Sequence, residues 1–132
     1  MSGYKYKPSS YHSPQRVWDE IAGEYLDRWV YQHDFSVTLP DNRIITVEAG
    51  FEYDKGSIPG FLQNYLPRDD AHSVIAFLIH DWLYTKGTIE GKPITKKEAD
   101  QIFYDLLRHA GMRYTKAKAI YLAVRLGGRG VF

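Results

Sequence analysis

The sequence contains no cysteine, and this absence removes two classes of protein. The chain cannot be a scaffold held by disulfides, and it cannot hold zinc through thiolates. Long apolar runs are missing as well, because no stretch approaches the roughly 20 residues that a membrane-spanning helix needs. The segment after Met1 also lacks the apolar core of a signal peptide. We therefore expect a protein without a transmembrane segment that is not secreted through a signal peptide.

Acidic residues are absent after Asp105, although the whole chain has a formal net charge of only +1. So small a net charge gives no general attraction to nucleic acid or to a lipid surface. Nucleic-acid binding by the basic end would be favoured by aromatic side chains among its charges, and Tyr114 is the one candidate. We therefore do not expect nucleic acid to be a partner. The basic residues after Asp105 are Arg108, Arg113, Lys116, Lys118, Arg125 and Arg129.

The chain has 132 residues, of which 44% are hydrophobic and 25% charged, as is typical of one globular domain. We assign residues 1–15 to an extended N-terminal arm and residues 16–132 to the domain. The arm shows neither helical nor strand periodicity, and it carries Tyr4, Tyr6 and Tyr11 beside two prolines. Such a segment suits docking onto another subunit. We predict that the arm is ordered only in an assembly, by self-association with a copy of this chain or against another structural protein. Deleting residues 2–14 should leave the melting temperature of the monomer nearly unchanged while weakening association.

The first half of the domain predicts a small antiparallel sheet. Apolar residues at helical spacing predict a short helix over residues 16–28, and the period changes to two from Trp29 onward. Residues 35–39 and 43–47 alternate on either side of the turn 40–42, which predicts a hairpin. Residues 50–53 are expected to add a third strand.

The second half predicts three helices. Residues 73–84 form a helical pattern without Gly or Pro, with Asp70 or Ser73 as its cap. Thr95-Lys96-Lys97-Glu98 is a capping box, so a second helix is predicted to start there. A last helix is predicted from Thr115. The fold class is therefore α+β, a small antiparallel sheet (a hairpin plus a third strand) followed by three packed helices in a single domain.

The central helix carries an unusual carboxylate. Apolar or small side chains cover most of its circumference, and Asp81 falls inside the apolar arc. An ionised carboxylate there must be neutralised, hydrogen-bonded, paired or bound to a metal. Ser73, His80 and Tyr84 share the narrow polar stripe.

His80 has a carboxylate partner in the next helix. The loop 85–94 is short enough for the two helices to pack antiparallel, which makes His80 and Asp100 expected neighbours. A carboxylate on one imidazole nitrogen fixes the tautomer and leaves the other nitrogen free to accept a proton from water. Asp81 would point into a different sector of the helix, where it could hold a cation. The loop containing Asp54 could then close over that cation with backbone carbonyls.

Two other interpretations of these residues stay open. Ser57 could complete a triad with His80 and Asp100, but nothing around it looks like a nucleophile elbow. The same His-Asp-Tyr set could equally be a hydrogen-bond network that fixes how the helices meet. Solvent access to the His80 imidazole distinguishes a catalytic site from a scaffold, because a catalytic His80 needs an open cleft whereas a scaffold His80 is sealed.

Four motifs follow one another in an order that resembles a phage and prophage domain of unknown function, family 1353 (DUF1353). The resemblance covers roughly residues 35–128. It implies a phage or prophage origin, hence a place in the host cytoplasm, the virion or both, with phage structural proteins as partners. The motifs are Gly50-Phe51-x-x-Asp54-x-Gly56-Ser57-Ile58-Pro59, His80-Asp81-x-Leu83-Tyr84, Ala99-Asp100-x-Ile102-Phe103 and Ala123-Val124-Arg125-x-Gly127.

The arrangement His80-Asp81-x-x-Tyr84 with Asp100 on the next helix is also similar to the catalytic helices of phospholipase A2. That resemblance implies that His80 activates water, that Asp81 ligates calcium and that Asp100 orients His80. The chain differs in having no cysteines beside the pair. It also has no match to the glycine-rich calcium loop of that family.

Two functions follow as expectations. In the first, a phage-encoded protein has a hydrolytic centre for a lipid or cell-envelope ester, with His80, Asp100 and Tyr84 as catalytic residues and Asp81 and Asp54 as calcium ligands. In the second, a non-catalytic virion or assembly protein uses the same residues as a buried scaffold.

Overall fold

The computed structural model describes residues 3–7, 15–53, 71–128 and 130–132. Short antiparallel strands precede three helices, so the predicted α+β class is confirmed. Within these residues no helix is both long enough and apolar enough to cross a membrane. The strands are β1 Gln15–Asp19, β2 Glu24–Tyr31, β3 Phe35–Thr38, β4 Ile44–Val47, β5 Phe51–Tyr53, β6 Thr88–Ile89 and β7 Lys92–Pro93. The helices are α1 Ala71–Lys86, α2 Lys96–His109 and α3 Tyr114–Gly127.

The predicted hairpin is present as β3 and β4, which pair antiparallel with Val37 opposite Ile45. The alternation of the sequence becomes a buried face, since Phe35, Val37 and Ile45 are at most 2% exposed. Asn42 supplies the left-handed turn residue, with a φ of 72°. The third strand is present too, as β5. It pairs with β2 rather than with the hairpin, in a sheet of order β1-β2-β5.

The helix predicted over residues 16–28 is wrong, because this segment forms the β1–β2 hairpin. Trp18 faces Tyr25 across the strands, and their rings meet edge-on with centroids 4.8 Å apart. The turn is closed by Asp19, whose Oδ1 accepts hydrogen bonds from the backbone N–H of Ile21 at 2.9 Å and of Ala22 at 3.1 Å. Cross-strand pairing and turn chemistry therefore override an apolar spacing that happened to match a helix.

The prediction that the N-terminal arm is ordered only in an assembly is wrong for residues 3–7. Tyr4 is 7% exposed, and its hydroxyl donates to Asp105 Oδ2 at 3.1 Å. Lys5 pairs with Thr38 through both backbone hydrogen bonds, at 2.9 and 2.8 Å. The Tyr6 ring packs on the core too, with its centroid 6.0 Å from that of Phe35. Two tyrosines and one backbone bridge anchor this segment, and they leave no periodic pattern in the sequence. Residues 8–14 lie outside the described part of the chain.

The helices form the larger part of the core. In α1 the predicted burial all round is found, since every residue from Ile75 to Tyr84 is buried. The capping box is confirmed as well, because Thr95 Oγ1 accepts from the Glu98 N–H at 3.1 Å. Ser73 lies inside α1 and is not its cap, and Asp70 lies outside the described residues. Helix α2 packs against both α1 and α3, which brings their facing side chains together.

Candidate functional site

Asp100 on α2 is the centre of a buried polar cluster, and it is fully shielded from solvent. Its Oδ1 atom accepts from His80 Nε2 at 3.0 Å and from the Tyr84 hydroxyl, both on α1. Its Oδ2 atom accepts from Lys96 Nζ at 3.1 Å and from an Arg125 guanidinium nitrogen at 3.0 Å. The predicted proximity of His80 and Asp100 is thus confirmed. One carboxylate joins all three helices, because Lys96 belongs to α2 and Arg125 to α3.

The His80 imidazole is enclosed on every side. Its side chain is 0% exposed, and its ring stacks on Phe103 with centroids 4.3 Å apart and planes inclined by 29°. The Tyr84 ring covers it at a centroid distance of 4.1 Å. An ionised carboxylate can only accept, so Nε2 must carry the hydrogen that Asp100 receives. The other nitrogen, Nδ1, is buried and has no hydrogen-bond partner among the described residues.

Tyr84 is held by the C-terminal segment as well as by Asp100. The Val131 N–H donates to the Tyr84 carbonyl at 3.0 Å. Two glycines leave room for the Tyr84 side chain. A Cβ atom on Gly128 would lie 2.8 Å from the hydroxyl, and one on Gly130 would lie 2.9 Å from the ring. No side chain fits at either position without displacing Tyr84 or the backbone.

Lys96 connects the cluster to the end of α3. Its ammonium group donates to Asp100 Oδ2 and also to the backbone carbonyls of Val124 at 2.8 Å and Arg125 at 3.1 Å. An ammonium group has three hydrogens, so all of them are used. Both carbonyls lie in the last turn of α3, where a cationic side chain stabilises the helix end. The Val124 carbonyl also accepts from the Gly128 N–H at 2.8 Å.

Lys96 and Arg125 were missed as site residues in the sequence, although each leaves a signal. Lys96 precedes Asp100 by four residues on a helix that the capping box defines, which is the spacing of an ion pair. Arg125 lies within the fourth of the quoted motifs. The two side chains are 25% and 32% exposed, so they form the only solvent-facing side of the cluster among the described residues.

The cluster keeps Asp100 ionised. Burial alone raises the pKa of this carboxyl, but the hydrogen bonds from His80, Tyr84, Lys96 and Arg125 outweigh burial and lower the pKa from 3.8 to about 2. The pKa of the Tyr84 hydroxyl is raised, first by burial and then by its bond to the Asp100 carboxylate. Tyr84 is therefore a donor and not a base.

This pKa shift predicts how stability depends on pH. The folded pKa of Asp100 lies below the unfolded one, so the unfolded state takes up the proton first as the pH falls. The stabilisation is complete above about pH 5 and is lost between the unfolded value near 4 and the folded value near 2. Urea unfolding should show that the stability difference between wild type and Asp100→Asn shrinks by about 2 kcal/mol from pH 7 to pH 2. A difference that stays constant over this range would contradict the assignment.

The predicted calcium site stays a prediction, because one of its two ligands lies outside the described residues. Asp81 is buried, as expected from its place in the apolar arc, and it is not one of the residues bonded to Asp100. Asp54 and Ser57 lie outside the described residues. Within the described part of the chain, no group of three or more His, Cys, Asp or Glu residues is placed to hold a metal ion.

These features define a single-domain α+β protein with a buried His-Asp-Tyr network. Residues 29–124 match the family described as "Protein of unknown function (DUF1353)". The match covers well over half of the chain, which therefore belongs to this family, as its four motifs predicted. Comparison with curated proteins and with solved structures gives no significant match. The family description names no activity, so the proposed function rests on the geometry of the Asp100 cluster.

Proposed function

We propose that this chain is a non-catalytic phage virion or assembly protein in which the Asp100 cluster is an internal scaffold. The observation that carries the proposal is the complete burial of the His80 side chain. A general base must reach its proton directly or through one water molecule. A sealed imidazole between Phe103 and Tyr84 lacks that access in the folded state.

The bonding of Asp100 also supports a scaffold. Its two oxygens receive four donors from three helices, two of them cationic. A buried carboxylate whose two oxygens each accept from two donors fixes one relative placement of the helices that it joins. The phage origin in this proposal rests on what the resemblance of the four motifs implies.

A second function, hydrolysis of a lipid or cell-envelope ester, is favoured by one observation. His80 Nδ1 is buried and has no partner among the described residues, whereas Nε2 is oriented by Asp100. This is the arrangement of a general base awaiting a substrate proton. His80 would then be the base, Asp100 and Tyr84 would position it, and Asp81 with Asp54 would hold calcium.

One experiment separates the two functions. The protein is mixed with ester phospholipid vesicles in calcium or in EDTA, and fatty-acid release is measured for wild type, His80→Gln and the control Asp105→Asn. A scaffold gives no release above buffer and no calcium uptake by calorimetry. Calcium-dependent release that falls by a factor of about 100 or more in His80→Gln alone would overturn the scaffold proposal. Circular dichroism verifies that each variant is folded. The assembly role has a separate test, mass spectrometry of purified phage particles.

A further inference from the structure

The tip of the β1–β2 hairpin, residues 18–25, exposes large apolar side chains. Ile21 is 100% exposed, Trp18 is 50% exposed and Tyr25 is 57% exposed. Tryptophan and tyrosine are enriched at the energetic centres of protein interfaces. Single exposed apolar residues are ordinary, but here the Trp18 and Tyr25 rings meet at 4.8 Å and Ile21 lies in the turn between their strands. An exposed apolar group of this kind marks a contact surface.

This hairpin tip is held in shape before any partner binds. The Asp19 carboxylate accepts from two backbone N–H groups of the turn, and the Gly23 N–H donates to the Asp19 carbonyl at 2.8 Å. Gly23 has a φ of 68°, the left-handed region where glycine is unstrained. A preformed turn loses little conformational entropy on binding, so its apolar residues contribute more of their burial to affinity.

A second apolar surface lies on α3. Ala117, Ile120 and Val124 bury one face of this helix in the core. On the opposite face a helical stripe repeats at intervals of four, three and four residues, and we call it the outer stripe. Leu122 is 50% exposed and Leu126 is 90% exposed, so this stripe is uncovered in the single chain. The outer stripe consists of Thr115, Ala119, Leu122 and Leu126, all of them exposed.

The two surfaces have opposite charge. The hairpin tip carries the exposed carboxylates of Glu20 and Glu24 beside that of Asp19. The outer stripe is flanked on its two sides by Lys116 and Lys118, in a part of the chain that contains no acidic residue. Contact between tip and stripe pairs opposite charges, whereas tip-to-tip or stripe-to-stripe contact opposes like charges.

We propose that the hairpin tip of one copy of this chain docks onto the outer stripe of the next copy. The contact is head-to-tail, so an open series keeps one free tip at one end and one free stripe at the other end. Such a heterologous interface builds a ring if the rotation closes and a filament if it does not. A second copy is the occupant because both complementary surfaces belong to the same chain. The inference holds whether or not the protein is catalytic.

The test uses two variants that each disable one surface. Ile21→Asp places a carboxylate in the apolar centre of the tip, and Leu126→Asp places one in the stripe opposite the acidic tip. Both positions are at least 90% exposed, so neither change disturbs the core. Val131→Asp, at a residue that is 63% exposed and outside both surfaces, is the matched control.

Sedimentation velocity over a concentration series is the measurement. Wild type and Val131→Asp should form species larger than a dimer, and each single-surface variant should raise the dissociation constant at least about tenfold. An equimolar mixture of Ile21→Asp and Leu126→Asp should give a heterodimer that stops at two chains, because only one intact tip and one intact stripe can meet. Monomeric wild type at about millimolar concentration, undiminished assembly of either variant, or a mixture that stays monomeric would each overturn the proposal.

Discussion

Replacing Asp100 with alanine is expected to lower the free energy of unfolding by about 3–5 kcal/mol, the range for removing one partner of a buried ion pair. The change leaves His80 Nε2 and the Tyr84 hydroxyl without their acceptor in a sealed space. Lys96 and Arg125 lose a counter-charge, but they are 25% and 32% exposed and can turn toward water. The loss should therefore fall toward the lower end of the range.

Chemical denaturation of the Asp100→Ala variant measures this loss. Asp105→Asn is the matched control on the same helix, because Asp105 is only half-buried and accepts from Tyr4 and Gln101. It should cost about 1 kcal/mol, as for one ordinary hydrogen bond. Equal losses in the two variants would show that the Asp100 cluster does not hold the helices together.

Phe103→Ala is expected to be of similar or larger effect, about 3–5 kcal/mol, the range for removing a buried phenylalanine. The Phe103 ring is fully buried between the His80 imidazole and the Phe77 ring, whose centroid lies 5.1 Å away. Its removal leaves a cavity against the imidazole, and the loss combines transfer free energy with the cost of that cavity.

The control for this change is Tyr114→Ala, since Tyr114 is 57% exposed on the surface of α3. Its effect should stay within about 0.5 kcal/mol, as for surface substitutions generally. Thermal and urea unfolding of both variants check the contrast. An unchanged melting temperature in Phe103→Ala would mean that the Phe103 ring does not seal the site.

Much of the fold could be predicted where local chemistry decides the structure. The capping box at Thr95 and the alternation of Phe35 and Val37 each specify an element without help from the rest of the chain. Asp100 could be placed beside His80 for a related reason, because a short loop forces neighbouring helices to pack antiparallel. Their contact is confirmed at 3.0 Å, and the catalytic roles stay predictions.

The errors arose where tertiary contacts override local pattern. The spacing of Val17 and Ile21 predicts the apolar face of a helix, yet Ile21 is fully exposed at a turn. Arg125 reaches Asp100 across 25 residues of sequence, and no local periodicity encodes such a contact. Whether His80 is open or sealed also depended on the Phe103 stacking, which the sequence does not specify.

The pairing of Lys5 with Thr38 bears on aggregation through the edge of β3. Strand β3 has β4 on one side, and on its other side the Thr38 N–H and carbonyl are both taken up by Lys5. A strand with unpaired backbone groups along one edge is a template for pairing with a strand of another molecule. Lys5 thus covers the edge of β3 at Thr38. Shortening the chain past Lys5 would expose the backbone groups of Thr38 and the apolar side chains that Tyr4 covers. The shortened protein would then tend to aggregate through β3.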